Sequence, residues 1–423
     1  MTSDSGSRPL GRPPARPAAP KNASPGLGME RQTEIYASAL TGARISIPTS
    51  LGALEQKAKE MLEPAAYDYV AGGAGAERTT AANLAAFDRW EIVPRMLCDV
   101  SERDLTTELL GERLAAPLLL APVGVQGIVH AEAEVASGRA AASLGVPFTL
   151  STLSSRSIEE VAQAMGTGRR WFQLYWGKDP ELTASMVARA EKAGYSALVV
   201  TLDTQILGWR PRDLDRQYLP FLLGKGLANY FSDPVFRARL EKPPETDPVA
   251  AIQLWGRLFS NNALTWNDLA WLREQTRMPI LLKGILHPDD ARCAIDAGAE
   301  GVIVSNHGGR QVDGSIGALD ALPGVVEAIG GKLPVLFDSG IRGGADGVKA
   351  LALGARAVLL GRPYIWGLGV AGEAGVRDVL LNFLSDFDIT MGLSGVRACR
   401  DLDGSLLRRA SIARVNTASE RMS

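Results

Sequence analysis

Eight short apolar runs, most of them separated by one helix's worth of sequence, constrain this chain more than any other feature. They occupy 117–122 (PLLLAP), 146–150 (VPFTL), 171–175 (WFQLY), 197–202 (ALVVTL), 279–283 (PILLK), 301–305 (GVIVS), 334–338 (PVLFD) and 357–361 (AVLLG). Several are apolar almost throughout, as strands buried on both faces are. The stretches 131–144, 157–165, 180–193, 288–297, 319–329 and 344–353 are helical in length and rich in alanine. Three helices enter the next strand through a nearly repeated phrase, EKAGYSALVV, IDAGAEGVIV and LALGARAVLL, in which glycine ends the helix by tolerating left-handed φ. Such alternation builds a parallel sheet, and eight units close it into a (β/α)8 TIM barrel. An open doubly wound sheet is the alternative; no GxGxxG opens the first unit, and the count of eight favours the barrel.

The rest of the chain is organised around that unit. Residues 1–30 are dominated by Pro, Gly, Ser and Arg and have almost nothing to bury, so a disordered tail is expected, with the barrel spanning 31–423. Arg8, Arg12 and Arg16 suggest organelle targeting, but the prolines oppose the amphipathic helix such a signal needs. Residues 51–70 read as short helices. The interval 207–262 breaks the rhythm after the fourth strand, on the face where barrels carry their chemistry; a lid and a subunit contact are the two expected uses. A net charge of −2 leaves no electrostatic footprint for nucleic acid, and no apolar stretch is long enough to span a membrane. Cys98, Cys293 and Cys399 are scattered without zinc-ligand spacing, so no metal site and a reducing, cytoplasmic compartment are expected.

Barrel enzymes place their reacting groups at the C-terminal ends of the strands. There the chain offers Gly124, Ser151, Thr152, Gln173, Tyr175, Thr201 and Asp203 after the first four runs. After the last four come Lys283, then Ser305, Asn306, His307 and Arg310, then Asp338 and Arg342, then Gly361 and Arg362. Of only three histidines, His307 stands in SNHGGRQVDG, three residues before Arg310. That pairs a proton acceptor working near neutral pH with a guanidinium suited to a carboxylate. His130 and His287 lack such company. DSGIRGGADG and GARAVLLGRP place glycine-rich turns after strands seven and eight, where barrels bind phosphate, with Arg342 and Arg362 to add charge-assisted hydrogen bonds. Lys283 ends a buried strand, where an unpaired charge is costly; a bound anion or a structural ion pair would account for it.

From about residue 51 to 402 the chain resembles the FMN-dependent 2-hydroxy-acid-oxidising family. The phrases that carry the resemblance are YDYVAGGAG, APVGVQGIVH, TLSTLSSRSIEEV, WFQLY, TLDT, LLKGI, SNHGGRQVDG, DSGIRGGADGVKALALGARAVLLGRP and DITMGLSG. The resemblance implies the barrel, FMN as cofactor, a small 2-hydroxy acid and O2 as reactants, and a homo-oligomer, tetramer or octamer. It implies that His307 takes the α-hydroxyl proton while hydride passes to flavin N5, with Asp203 orienting the imidazole. Arg210 and Arg310 would bind the substrate carboxylate, with Tyr69 and Tyr175 on its oxygens. Lys283 would sit near N1 and the C2 carbonyl, where the reduced flavin is anionic. Pro122, Val123, Gly124, Ser151, Gln173, Thr201 and Ser305 would line the isoalloxazine and ribityl chain. Asp338, Ser339, Gly340, Arg342, Gly361 and Arg362 would hold ribityl and phosphate.

The chain also departs from the family pattern. Gln205 stands where Pro is frequent, Ser339 where a glycine is usual, Leu153 where glycolate oxidase has tryptophan, and Gly124 where many members have alanine. LGWRPRDL, YLPFL, the long insertion and Gly124 look most like the lactate 2-monooxygenase class, which turns L-lactate and O2 into acetate, CO2 and water. The alternative is an oxidase or dehydrogenase that releases the 2-oxo acid.

Overall fold

The computed structural model describes residues 26–42 and 45–411. Eight parallel strands form a closed barrel in sequential order. They are β1 (Leu118–Leu120), β2 (Phe148–Ser151), β3 (Arg170–Leu174), β4 (Leu198–Thr201), β5 (Ile280–Ile285), β6 (Gly301–Val304), β7 (Val335–Phe337) and β8 (Ala357–Leu360). Pairing of β8 with β1, Val358 to Leu118 through Leu360 to Leu120, closes the ring. All eight apolar runs are therefore strands, and the open-sheet alternative is excluded. The intervening helices Ala133–Ser143, Ile158–Met165, Pro180–Lys192, Pro288–Asp296, Ala318–Ile329 and Gly344–Ala352 lie where the sequence places them.

Alternation along each strand divides the apolar residues between two cores. Leu119, Trp171, Val199, Leu281, Ile303, Leu336 and Leu359 form a cluster of their own. Their strand neighbours Leu118, Leu120, Phe172, Val200, Leu282, Val304 and Phe337 join the larger core beneath the helices. A strand residue two positions on points to the same side. The smaller cluster thus lines the barrel interior, and the next inward positions are Ala121, Gln173, Thr201, Lys283, Ser305, Asp338 and Gly361. The two-residue period alone brings seven residues, five of them polar, to the C-terminal mouth.

One difference from the sequence reading concerns the N-terminal flank. Residues 27–30 begin a helix, Leu27–Leu40, and do not belong to a disordered tail; residues 1–25 lie outside the described residues. Gly28 permits the docking. Its amide donates to Asp388 at 2.9 Å, and a Cβ there would stand 2.4 Å from Ile389 Cγ1, on the long helix Arg362–Leu393. Arg31 adds an ion pair to Asp378 at 3.0 Å. The anchor lies 360 positions away, beyond the reach of local composition.

The interval 207–262 is folded and packed. It contains short helices at Pro211–Asp215, Pro220–Leu223, Ala228–Phe231, Pro234–Ala238 and Pro248–Leu258. Proline at the first turn of four of them, with Asp233 and Asp247 capping two, starts each helix where a backbone N–H has no intrahelical partner anyway. Tyr230, Phe236, Leu254 and Trp255 are buried. Asn229, fully buried, donates to the Ser151 and Thr152 carbonyls and to Ser154 Oγ, and accepts from the Ile158 amide at 2.8 Å. The insertion is thereby tied to the loop after β2.

Candidate active site

The loop after β6 holds its histidine in an uncommon conformation. His307 has φ 58°, followed by Gly308 at 65° and Gly309 at 77°, so three successive residues are left-handed. A non-glycine residue there costs about 1–2 kcal/mol and persists where its surroundings fix it. The ring is fixed as well. Nδ1 lies 2.8 Å from Asp203 Oδ1 and 3.3 Å from Thr204 Oγ1, and Thr204 donates to the same carboxylate oxygen at 2.9 Å. An Nδ1–H held by a carboxylate leaves the Nε2 lone pair free to accept a proton. Nε2 stands 3.5 Å from the Tyr175 hydroxyl.

The charges around this pair set their states. Burial opposes the Asp203 charge, yet His307 and Lys283, with hydrogen bonds from His307 and Thr204, hold its carboxyl down to about 2. Burial, aided by the Lys283 charge, pushes His307 below its ordinary value against the pull of Asp203. At neutral pH the imidazole is therefore uncharged and able to act as a base. Burial disfavours the Lys283 charge too, but Asp338 and Asp203 outweigh it and raise the lysine. Lys283 Nζ lies 3.4 Å from Asp338 Oδ2 and donates to Ser305 Oγ at 2.9 Å. Of the two explanations for its burial, the ion pair is present.

Four arginines stand at the same mouth without an ion-paired carboxylate among the described residues. Arg310 Nη1 donates to the Tyr69 and Gly72 carbonyls, both at 2.7 Å, at the end of helix Pro64–Ala71. Arg362 donates to the carbonyls of Val70, Gly72 and Gly308. Arg210 donates to the Arg310 carbonyl and to Gln311 Oε1, and Arg342 Nη1 to the Ile341 carbonyl. Burial, then repulsion by Arg210, pushes Arg310 down to about 10; burial, then Arg310 and Arg342, pushes Arg362 down to about 9. Mutually repelling guanidiniums with spare N–H groups make a site for anions.

These groups share one cavity of about 1130 Å³, open mouth included. Its wall includes Tyr69, Tyr175, Arg210, Lys283, His307 and Arg310. Pro122, Val123, Gly124 and Ser151 line one side, and Asp338, Ser339, Gly340, Arg342, Gly361 and Arg362 another. Gln173, Thr201, Ser305 and Asp203 stand behind the wall. Ser151 donates to Gln173 Oε1, and Gln173 Nε2 to Thr201 Oγ1, both at 2.9 Å.

Several wall and support residues escape sequence reasoning. Leu207, Phe221 and Phe259 of the insertion face the cavity, as do Val70, Thr204 and Ile341. Gln311 receives Arg210 and donates to the Asp203 and Ile206 carbonyls at 2.7 and 2.9 Å. Its place beside Arg310 is its only sequence signal, whereas the position of the insertion after the fourth strand points to a lid without singling out the residues that face the cavity.

The donor set fits FMN: Arg342 and Arg362 beside the glycine turns after β7 and β8 for the phosphate, and Lys283 for negative charge on the ring. Arg210 and Arg310 remain for a second, smaller anion. Comparison with known proteins agrees. The sequence model of the FMN-dependent dehydrogenase family matches residues 58–409. The chain is 47% identical over 384 residues to the FMN-dependent alpha-hydroxy acid dehydrogenase qulF of Penicillium citrinum, covering 90% of this chain and 96% of that protein. It is 44% identical to the L-lactate oxidase of Lysinibacillus sphaericus, over 85% of this chain and 92% of that one. The crystal structure of mandelate oxidase superposes with a TM-score of 0.76 at 40% identity, covering 86% of this chain and 98% of that one. The chain belongs to the FMN-dependent dehydrogenase family, and it is an FMN-dependent oxidoreductase of 2-hydroxy acids.

Proposed function

We propose that this enzyme oxidises L-lactate with O2 and retains the pyruvate long enough for its decarboxylation in the site, giving acetate, CO2 and water. Arg210 and Arg310 bind the carboxylate and fix the substrate in the cavity. The Tyr175 hydroxyl and His307 Nε2 meet the α-hydroxyl, and Nε2 takes its proton while Asp203 stabilises the imidazolium that forms. When bound, FMN would supply the two-electron acceptor for the hydride from the α-carbon, with O2 as the final oxidant, reduced to hydrogen peroxide. Pyruvate and peroxide combine to acetate, CO2 and water, which balances all atoms. What carries the reading is that Leu207, Phe221 and Phe259 of the packed insertion wall the same cavity as His307 and Arg310. A covered site delays escape of the first product.

The test is product identity from L-lactate in air. Acetate and CO2, with little free peroxide, are expected; pyruvate and peroxide in equal amounts would replace this reading with simple oxidation. That second reading is favoured by the relatives named L-lactate oxidase. Gly124→Ala is a weak probe of the difference. A Cβ there would stand 2.6 Å from the Leu153 carbonyl oxygen, so the substitution pushes the loops after β1 and β2 apart as well as adding a methyl group.

A homo-oligomer belongs to the same proposal. Ile206 and, in the insertion, Trp209, Leu222 and Leu223 are exposed, and a second subunit would cover them. A monomeric mass in solution at micromolar concentration would remove that part.

A further inference from the structure

Ser339 is the second non-glycine residue of the site held at positive φ, at 85°. A glycine would adopt that conformation without strain. The serine has instead committed its hydroxyl entirely to protein. Oγ accepts from the amides of Asn306 at 3.3 Å and Gly308 at 3.0 Å, and donates to Asp338 Oδ1 at 2.8 Å. The amide between those two, that of His307, donates to Ser305 Oγ at 3.1 Å. Two serine hydroxyls thus capture three successive amides, with the histidine in the middle. A hydroxyl has one hydrogen and two lone pairs, so Ser339 has nothing left for a ligand.

The same bonds join the loop that carries Arg342 to the loop that carries His307. Asp338, which receives the Ser339 hydroxyl, is also the ion-pair partner of Lys283, and Lys283 donates to Ser305. We infer that Ser339 is a positioning residue whose side chain holds the left-handed turn at His307, rather than a side-chain ligand of the cofactor. The inference rests on His307 being the base. It leaves to the backbone of residue 339 the ribityl and phosphate contact that the resemblance implied for this residue.

The test is Ser339→Gly in the holoenzyme. Glycine suits the backbone at 339 and keeps its amide, so the variant is expected to fold and to hold FMN within about twofold of wild-type affinity. With the Asn306 and Gly308 amides released, kcat should fall at least tenfold while KM changes less than twofold. The acid limb of the kcat/KM profile should also move to higher pH, because a loosened His307 meets more water and loses its burial-lowered pKa. A purely structural serine would not move that limb. Wild-type kcat and an unmoved limb overturn the inference, and so does loss of FMN, which would return the hydroxyl to cofactor binding. Hydrogen exchange of the wild-type holoenzyme gives a reading independent of any variant. The peptide containing Asn306–Gly308 should exchange as slowly as the β6 amides, and rapid exchange overturns the inference. His307→Gln separates the two levels. If it is inactive while Ser339→Gly is normal, only this inference fails; if it is fully active, the base assignment fails with it.

Discussion

At the scale of single residues, the site depends on a histidine kept neutral and aimed. Burial and the nearby Lys283 lower the His307 pKa, whereas Asp203 pulls it up. With the neutral form as the proposed base, kcat/KM should rise with pH on its acid limb, with a half-point below the ordinary histidine value of about 6.5. A half-point at or above that value in the pH profile contradicts the assignment. Asp203→Asn removes the upward pull, so it should move the half-point lower still, and it should slow flavin reduction because the imidazolium loses its partner. An upward movement would mean that Asp203 acts otherwise. His307, Arg310 and Asp203 were legible in sequence because they are polar residues just beyond apolar runs. Thr204 and Gln311 were not, since their importance lies in which atoms they reach and neither type is distinctive in a loop.

At the scale of elements, two local devices hold those residues in place. The first is the bulge in β5, where the register with β6 shifts between Lys283 and Ile285. Gly284 has φ 106°, and a Cβ on it would stand 2.9 Å from Asp203 Cβ. Gly284→Ala is thus expected to displace Asp203 and to slow turnover on the order of the 10²–10⁴-fold that general-base catalysis contributes. Unchanged kcat in steady-state kinetics would show that the bulge does not position the carboxylate. The second device is Glu134. It is fully buried, and its Oε1 accepts from the amides of Gln126 and Ser155, both at 3.0 Å, so it ties the loop after β1 to the loop after β2. Burial pushes its carboxyl up to about 7 from an ordinary value of 4.5. A carboxyl raised on folding stabilises fully below the unfolded value, and that contribution is lost as pH rises through the folded one. Glu134→Gln keeps an acceptor without the charge. Its stability relative to wild type should grow between about pH 5 and pH 8, by up to about 3 kcal/mol. A difference independent of pH in denaturant titrations would contradict this. The strands and barrel helices were legible because their periods are local. The bulge was not, because one inserted residue leaves the apolar pattern of ILLKGI intact.

At the scale of the whole molecule, closure of the barrel turns scattered residues into one site. Tyr69 precedes the barrel, Arg210 lies in the insertion, His307 follows β6 and Arg362 follows β8, yet all four face one cavity. The eightfold count foretold that convergence. What it left out is packing between distant segments: the insertion that walls the cavity through Leu207, Phe221 and Phe259, and the helix Leu27–Leu40 docked on the last helix through Gly28. Both depend on surfaces supplied by residues far away in the chain. The central claim is that this assembly passes electrons from an L-2-hydroxy acid to FMN with His307 as base. The most direct measurement is anaerobic mixing of the purified holoenzyme with L-lactate, followed by flavin absorbance. The wild type should bleach rapidly, and His307→Gln should keep its bound flavin and its colour while bleaching about 10²–10⁴-fold more slowly. An oxidised spectrum that persists in the wild type across a panel of L-2-hydroxy acids, or equal bleaching by His307→Gln, would contradict the account.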